Sequence, residues 1–192
     1  MAITIGRKAE SNFTNPLGLL SDCHRRIEYF LNLLVTVTKQ VQGSRLDVEQ
    51  QTALETALFY FERAAPKHTL DEEESLFPRM RASENPQAQA ALAVLDSLYA
   101  DHAAAGEMHK KVEALVRRWL EGGELSGGQA RRLTEMLDEL STIYQRHIAA
   151  EDNEVFPLAA SLLEKSEIEA IGREMAARRG IDLVALARKL EG

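Results

Sequence analysis

The segment HTLDEEESLFP at 68–78 recurs as HIAAEDNEVFP at 147–157, so the pattern His-x-x-x-Glu-x-x-x-x-Phe-Pro is written twice in a chain of 192 residues. Two further histidines complete a duplicated set. His102 follows His24 by 78 residues, and His147 follows His68 by 79. Whatever fold the chain adopts must give these two halves equivalent surroundings.

Apolar residues around the four histidines recur at helical spacing. Behind Asn15-Pro16, an N-cap and a first-turn proline, run Leu17, Leu20, His24, Ile27, Leu31 and Leu34. After the break QGSRLD at 42–47, Asp47 and Gln50 open a helix whose stripe is Leu54, Leu58, Phe61, Ala65, His68, Glu72 and Leu76, with Pro66 expected to kink it. RASENPQ at 81–87 separates a third helix with Leu92, Leu95, Tyr99, His102, Gly106, His109, Val112 and Val116, ending near Trp119. EGGELSGG at 121–128 separates a fourth, opened by Ser126 and Gln129, with Leu133, Leu137, Leu140, Tyr144, His147, Glu151 and Val155. Antiparallel helices carrying one layer of histidines require the midpoint of each consecutive pair to fall in a loop. The midpoints are 46, 85 and between 124 and 125, and all three fall in the breaks. The expected fold is therefore all-α, an antiparallel up-down-up-down four-helix bundle with short C-terminal helices. The expected division is an N-terminal extension over 1–15, the bundle over 16–164 and a helical tail over 165–192, with Ser166 and Glu169 as a capping pair and Gly180 as a stop.

The net charge of -7 and pI near 5.3 argue against a nucleic-acid partner, which needs a basic face. The lone cysteine, Cys23, leaves no internal disulfide and no thiolate cluster, and reads as a small buried apolar residue. MAITIGRKAESNFTN lacks the apolar core of a signal peptide, and no window approaches a membrane span, so a cytoplasmic protein is expected.

On a helix, positions i and i+4 share a face, so His68 with Glu72 and His147 with Glu151 each turn an imidazole and a carboxylate toward the bundle axis. Burying those carboxylates alone would be very costly, and a metal cation offsets the cost. Four histidines and two glutamates exceed the needs of one tetrahedral zinc. Two metals fit: one on His24 and His68, the other on His102 and His147, with Glu72 and Glu151 bridging and a coordination position left open. Helix-bundle carboxylate sites hold di-iron or di-manganese in this way and imidazole favours iron over magnesium or calcium, so two iron ions in an Fe-O-Fe type centre are expected ahead of manganese or zinc.

The set His24, HTLDEEESLFP, His102 and HIAAEDNEVFP resembles the hemerythrin-like (HHE cation-binding) domain, over roughly residues 16 to 160. The resemblance implies His24, His68, His102 and His147 as terminal ligands and Glu72 and Glu151 as bridges. Oxygen-carrying members place a further histidine where this chain has Gly106, so the ligand set is closer to the branch associated with iron-centre repair. The function implied is a di-iron protein that binds or reacts with a small diatomic, O2, NO or peroxide, in oxidative or nitrosative stress. The alternative is a metal- or redox-dependent sensor or iron store without turnover. No catalytic residue is singled out, and a homodimer or another protein partner stays open.

Other residues have simpler readings. Asp71, Glu73, Glu74, Asp152 and Glu154 read as solvated acids. His109, two turns or roughly 10 Å beyond His102, reads as structural or pocket-lining. Tyr99 and Tyr144, each three residues before a ligand histidine, read as core packing, with a hydrogen bond to a bound diatomic as the other role. Glu28 either accepts a hydrogen bond from a ligand ring or reaches solvent. Gly106 either allows a close helix contact or leaves space beside one metal.

Overall fold

The computed structural model describes residues 11–183 and 185, and among these the secondary structure is helical with no strand. The fold is an all-α helical bundle. In chain order the helices are α1 Pro16–Val41, α2 Val48–Arg63, α3 Ala65–Leu70, α4 Phe77–Ala82, α5 Pro86–Ala90, α6 Leu92–Gly122, α7 Gly127–Ala150, α8 Phe156–Leu162 and α9 Lys165–Arg178. A π-turn at Asp71–Leu76 joins α3 to α4, and a second at Glu151–Val155 joins α7 to α8. No helix among the described residues is long and apolar enough to cross a membrane. Of the expected N-terminal extension, residues 1–10 lie outside the described residues, as do 184 and 186–192 of the tail.

The chain divides into two compact units, one of Met1–Arg25, Pro66–Asp96 and Ala150–Gly192, the other of Arg26–Ala65 and Ser97–Ala149. The second unit has a continuous apolar core. Ile27, Leu31 and Leu34 from α1, Leu54 and Leu58 from α2, Val112, Val116 and Trp119 from α6, and Leu133, Leu137 and Leu140 from α7 are all buried in it. Its two connecting loops meet. The Leu125 N–H donates to the Gly43 carbonyl at 2.8 Å, and Trp119 Nε1 donates to the Ser44 carbonyl at 2.9 Å. Gly43 has φ of +82°, and a Cβ there would lie 2.9 Å from that of Ala130, so both conformation and space call for glycine. Asp47 and Gln50 form the expected capping box of α2, and Ser126 and Gln129 exchange the corresponding bonds at α7.

Three boundaries differ from the reading of the sequence. The helix expected to run from 47 through 76 with a kink is divided into α2, α3 and the π-turn. Pro66 has no N–H for the Glu62 carbonyl, so α2 closes at Arg63 and Pro66 takes up a first-turn position in α3. The third helix begins in α5, is interrupted at Ala91, and then continues as α6 to Gly122. The tail helix is capped two residues before Ser166: Glu164 is extended and forms the capping box with Glu167. Gly180, with φ of +68°, follows its end.

In the first unit, α9 lies against the π-turn Asp71–Leu76. Arg79 holds Glu174 through two bonds of 2.7 and 3.0 Å. Gly172 sits under residue 13, where an added Cβ would run into the Phe13 carbonyl oxygen.

Candidate metal centre

The two π-turns are a consequence of the repeated Phe-Pro. Pro78 and Pro157 cannot donate to the carbonyls four residues back, at Glu74 and Asn153, and their rings would clash with those oxygens. The preceding turn widens instead. Phe77 N–H bonds to the Glu72 carbonyl and Phe156 N–H to the Glu151 carbonyl, five residues back in each case. Each widened turn thus begins at or beside a buried glutamate.

In the first unit these turns bring Glu72 and Glu151, both fully buried, to His24 on α1 and His68 on α3. His24 Nε2 lies 3.0 Å from Glu151 Oε2 and 3.7 Å from Glu72 Oε1, and His68 Nε2 lies 3.2 Å from Glu72 Oε1. The His24 and His68 rings meet edge to face at 4.8 Å, while Phe156 stacks on His24 at 5.4 Å. One ligand atom from each of His24, His68, Glu72 and Glu151 falls within 4.8 Å of the others. Two ligands on one ion, each at about 2.0–2.2 Å, lie no more than about 4.4 Å apart, so a small contraction closes the set on a cation. Two imidazoles and two carboxylates without a thiolate fit a divalent transition metal of the iron, manganese or zinc type.

Asp152 corrects the reading of the sequence. It is not a solvated acid: its Oδ1 lies 3.0 Å from His24 Nδ1 and accepts from the Ser21 hydroxyl at 2.7 Å. A carboxylate there fixes the tautomer that leaves Nε2 facing Glu72 and Glu151. Burial pushes the His24 pKa down, but the hydrogen bonds to Asp152, Glu151 and Glu72 outweigh it and hold the metal-free ring well above its ordinary value of 6.5. Burial raises the Asp152 pKa, and the bond to His24 more than reverses this, leaving it lowered.

Asp71 is the second correction. It is fully buried and accepts from Arg178 at 2.7 Å and from Arg179 at 2.6 Å. The sequence offered no signal for it, since the arginines lie more than a hundred residues away. Glu74 and Glu154 are exposed as expected, Glu73 is half-buried, and Glu28 is exposed.

His102, His147, His109, Tyr99, Tyr144 and Gly106 belong to the second unit. The His102 and His147 rings lie 4.6 Å apart, and His147 Nδ1 is 3.7 Å from Asp101 Oδ2. Asp101 also pairs with Arg146. The Asp101 contact was not anticipated. His109 Nε2 is 2.9 Å from the Tyr144 hydroxyl, and its ring packs on Phe61 at 4.3 Å. Burial pushes the His109 pKa down to about 4, against a small opposing effect of Glu113. Tyr99 is half-buried, whereas Gly106 is exposed, and a Cβ at 106 would meet nothing within 4 Å.

Residues 15–159 match the model of the hemerythrin HHE cation binding domain. An uncharacterized protein of Haemophilus influenzae is similar, 25% identical over 176 residues that cover 89% of this chain and 94% of the relative.

Proposed function

Because the chain belongs to the hemerythrin HHE cation-binding domain family, we propose that it carries two iron ions and binds or reacts with a small diatomic, O2, NO or peroxide. The observation that carries this reading is the buried quartet of His24, His68, Glu72 and Glu151 within 4.8 Å. In this reading His24 and His68 would hold one ion together with Glu72 and Glu151, and His102 and His147 would hold the other. The duplicated motif supports the second half of the assignment, since each histidine-glutamate pair keeps the same spacing and the same Phe-Pro. Bound iron supplies a redox change and an open coordination position.

The protein's own residues do the rest. Asp152 and Ser21 hold the His24 proton on Nδ1, leaving Nε2 for the ion. Phe156 stacks on His24 and helps keep water from that side of the ring. Gly106 stands where oxygen-carrying members have a further histidine, which favours reaction with the diatomic, as in stress response or iron-centre repair, over reversible carriage. Two tests separate the parts of this reading. Elemental analysis of protein purified without added metal is expected to give two irons per chain, and one zinc or no metal would overturn the dinuclear centre. Anaerobic reduction followed by NO or O2 is expected to produce new charge-transfer bands, and an unchanged spectrum in iron-loaded protein would rule out the diatomic chemistry.

A further inference from the structure

The π-turn that presents Glu72 toward His24 and His68 is gripped from its other side. Asp71, the residue before Glu72, is fully buried and takes a bond from Arg178 Nη1 at 2.7 Å and two from Arg179, at 2.6 Å to Oδ2 and 3.2 Å to Oδ1. Arg178 also donates to the Ser75 hydroxyl at 2.7 Å, and Arg179 donates back to the Met175 carbonyl at 2.8 Å, which fixes the guanidinium on its own helix. Both arginines come from the end of α9, beyond residue 159 where the family match stops. The duplication is broken at this point: the residue before Glu72 is Asp71, whereas the residue before Glu151 is Ala150. The second π-turn therefore has no carboxylate at that place.

A buried carboxylate between two guanidinium groups is costly to desolvate and is held only when its geometry is well satisfied. It is also directional, since two planar forks fix both the position and the rotation of the backbone that bears it. A widened turn, which lacks the regular i to i-4 ladder, is the segment that most needs outside definition.

We infer that Asp71, Arg178 and Arg179 form a latch by which α9 positions Glu72, so that metal affinity at the His24–His68 set depends on the C-terminal helix. These three are positioning residues. The inference rests on the metal-binding reading above.

The test uses the full chain and ferrous iron added anaerobically to metal-free protein. Asp71→Asn and the double variant R178Q/R179Q are expected to weaken uptake about 10–100-fold, the cost usual for residues that orient metal ligands. They are also expected to speed amide exchange over 71–76 with little change in helical circular dichroism. Ile171→Val is the control. It trims a fully buried side chain of α9 while leaving Asp71, Ser75 and both arginines in place, and is expected to keep wild-type affinity. If Asp71→Asn and R178Q/R179Q bind iron as wild type does, the latch is overturned. If Ile171→Val loses as much affinity as they do, α9 acts only through general stability and the latch is again overturned. Wild-type protein that takes up no iron overturns the metal-binding reading itself, a result distinguishable from either.

Discussion

The chemistry of the first unit turns on one ring. His24 touches Asp152 with one nitrogen and Glu151 with the other, so three carboxylates, counting Glu72, compete for a single imidazole. Asp152 escaped the sequence reading because it stands among acids, in EDNE, and nothing in that run distinguishes the one that bends back to α1. Its contact spans 128 residues and is set by packing, whereas His68 with Glu72 is set by spacing along one helix and could be read directly. Asp152→Asn keeps an acceptor for Nδ1–H but removes the charge, and is expected to weaken metal uptake about 10–100-fold. Isothermal titration with ferrous iron under anaerobic conditions measures it; unchanged affinity would mean that Asp152 is incidental. The raised His24 pKa also has a sign. A proton held more tightly in the folded state stabilises metal-free protein at pH below the unfolded value, near 6.5, and that contribution is lost as pH rises through the raised pKa. Metal uptake runs the other way, because the ion displaces the proton. The difference in stability between metal-free wild type and His24→Asn should therefore fall from pH 6.5 upward while iron affinity climbs, and a pH-independent difference would contradict the assignment.

Among elements, the π-turns are the part of the site that the repeated motif encoded without declaring it. Phe-Pro after each histidine-glutamate pair is visible as a mark of duplication, but its physical meaning lies in the missing N–H of Pro78 and Pro157, which prevents an α-helical turn over the preceding residues. The capping boxes at Asp47 and Ser126 were legible because a cap is a local exchange between residues three apart. The start of α9 was not, since Glu164–Glu167 and Ser166–Glu169 share one spacing and serine is the more usual cap, yet Glu164 takes that place. The role of proline is testable. Pro157→Ala restores a donor for the Asn153 carbonyl and removes the ring that clashes with it, so the turn can relax toward an α-helix. Metal-free Pro157→Ala is expected to melt at a higher temperature than wild type, while its iron affinity falls because Glu151 is rotated away from His24. Calorimetry and metal titration on the same preparation check both halves, and a variant that gains stability with no loss of affinity would show that the π-turn is dispensable.

Across the molecule, periodicity told most about the second unit, where Leu54, Leu58, Leu133, Leu137 and Leu140 sit in the core as their spacing requires. It told least where polar groups are buried, because Asp71 and Asp101 are recognised only through their arginine partners, Arg178, Arg179 and Arg146. His109 lies between these cases: the helical stripe carried it inward, but its partners did not follow from spacing. It carries no part of the duplicated pattern, yet it is packed on Phe61 and bonded to Tyr144 within the apolar unit. Burial lowers its pKa from 6.5 to about 4. The unfolded chain therefore binds more protons than the folded one between those values, and stability contributed by neutral His109 is full above about pH 6.5 and drains away as pH falls toward 4. At about 1.36 kcal/mol per unit, the loss is on the order of 3 kcal/mol. His24 does not share this window, since its proton is bound in both folded and unfolded states once pH is well below 6.5. His109→Gln removes the titration and replaces the bond to Tyr144 with one an amide can make. The variant is expected to be about 1 kcal/mol less stable than wild type at pH 7.5, with the gap closing and then reversing as pH is lowered to 4.5. Urea denaturation of metal-free protein across that range reads the crossing directly. Parallel acid limbs in the two proteins would place the acid sensitivity elsewhere and leave His109 an ordinary half-buried ring.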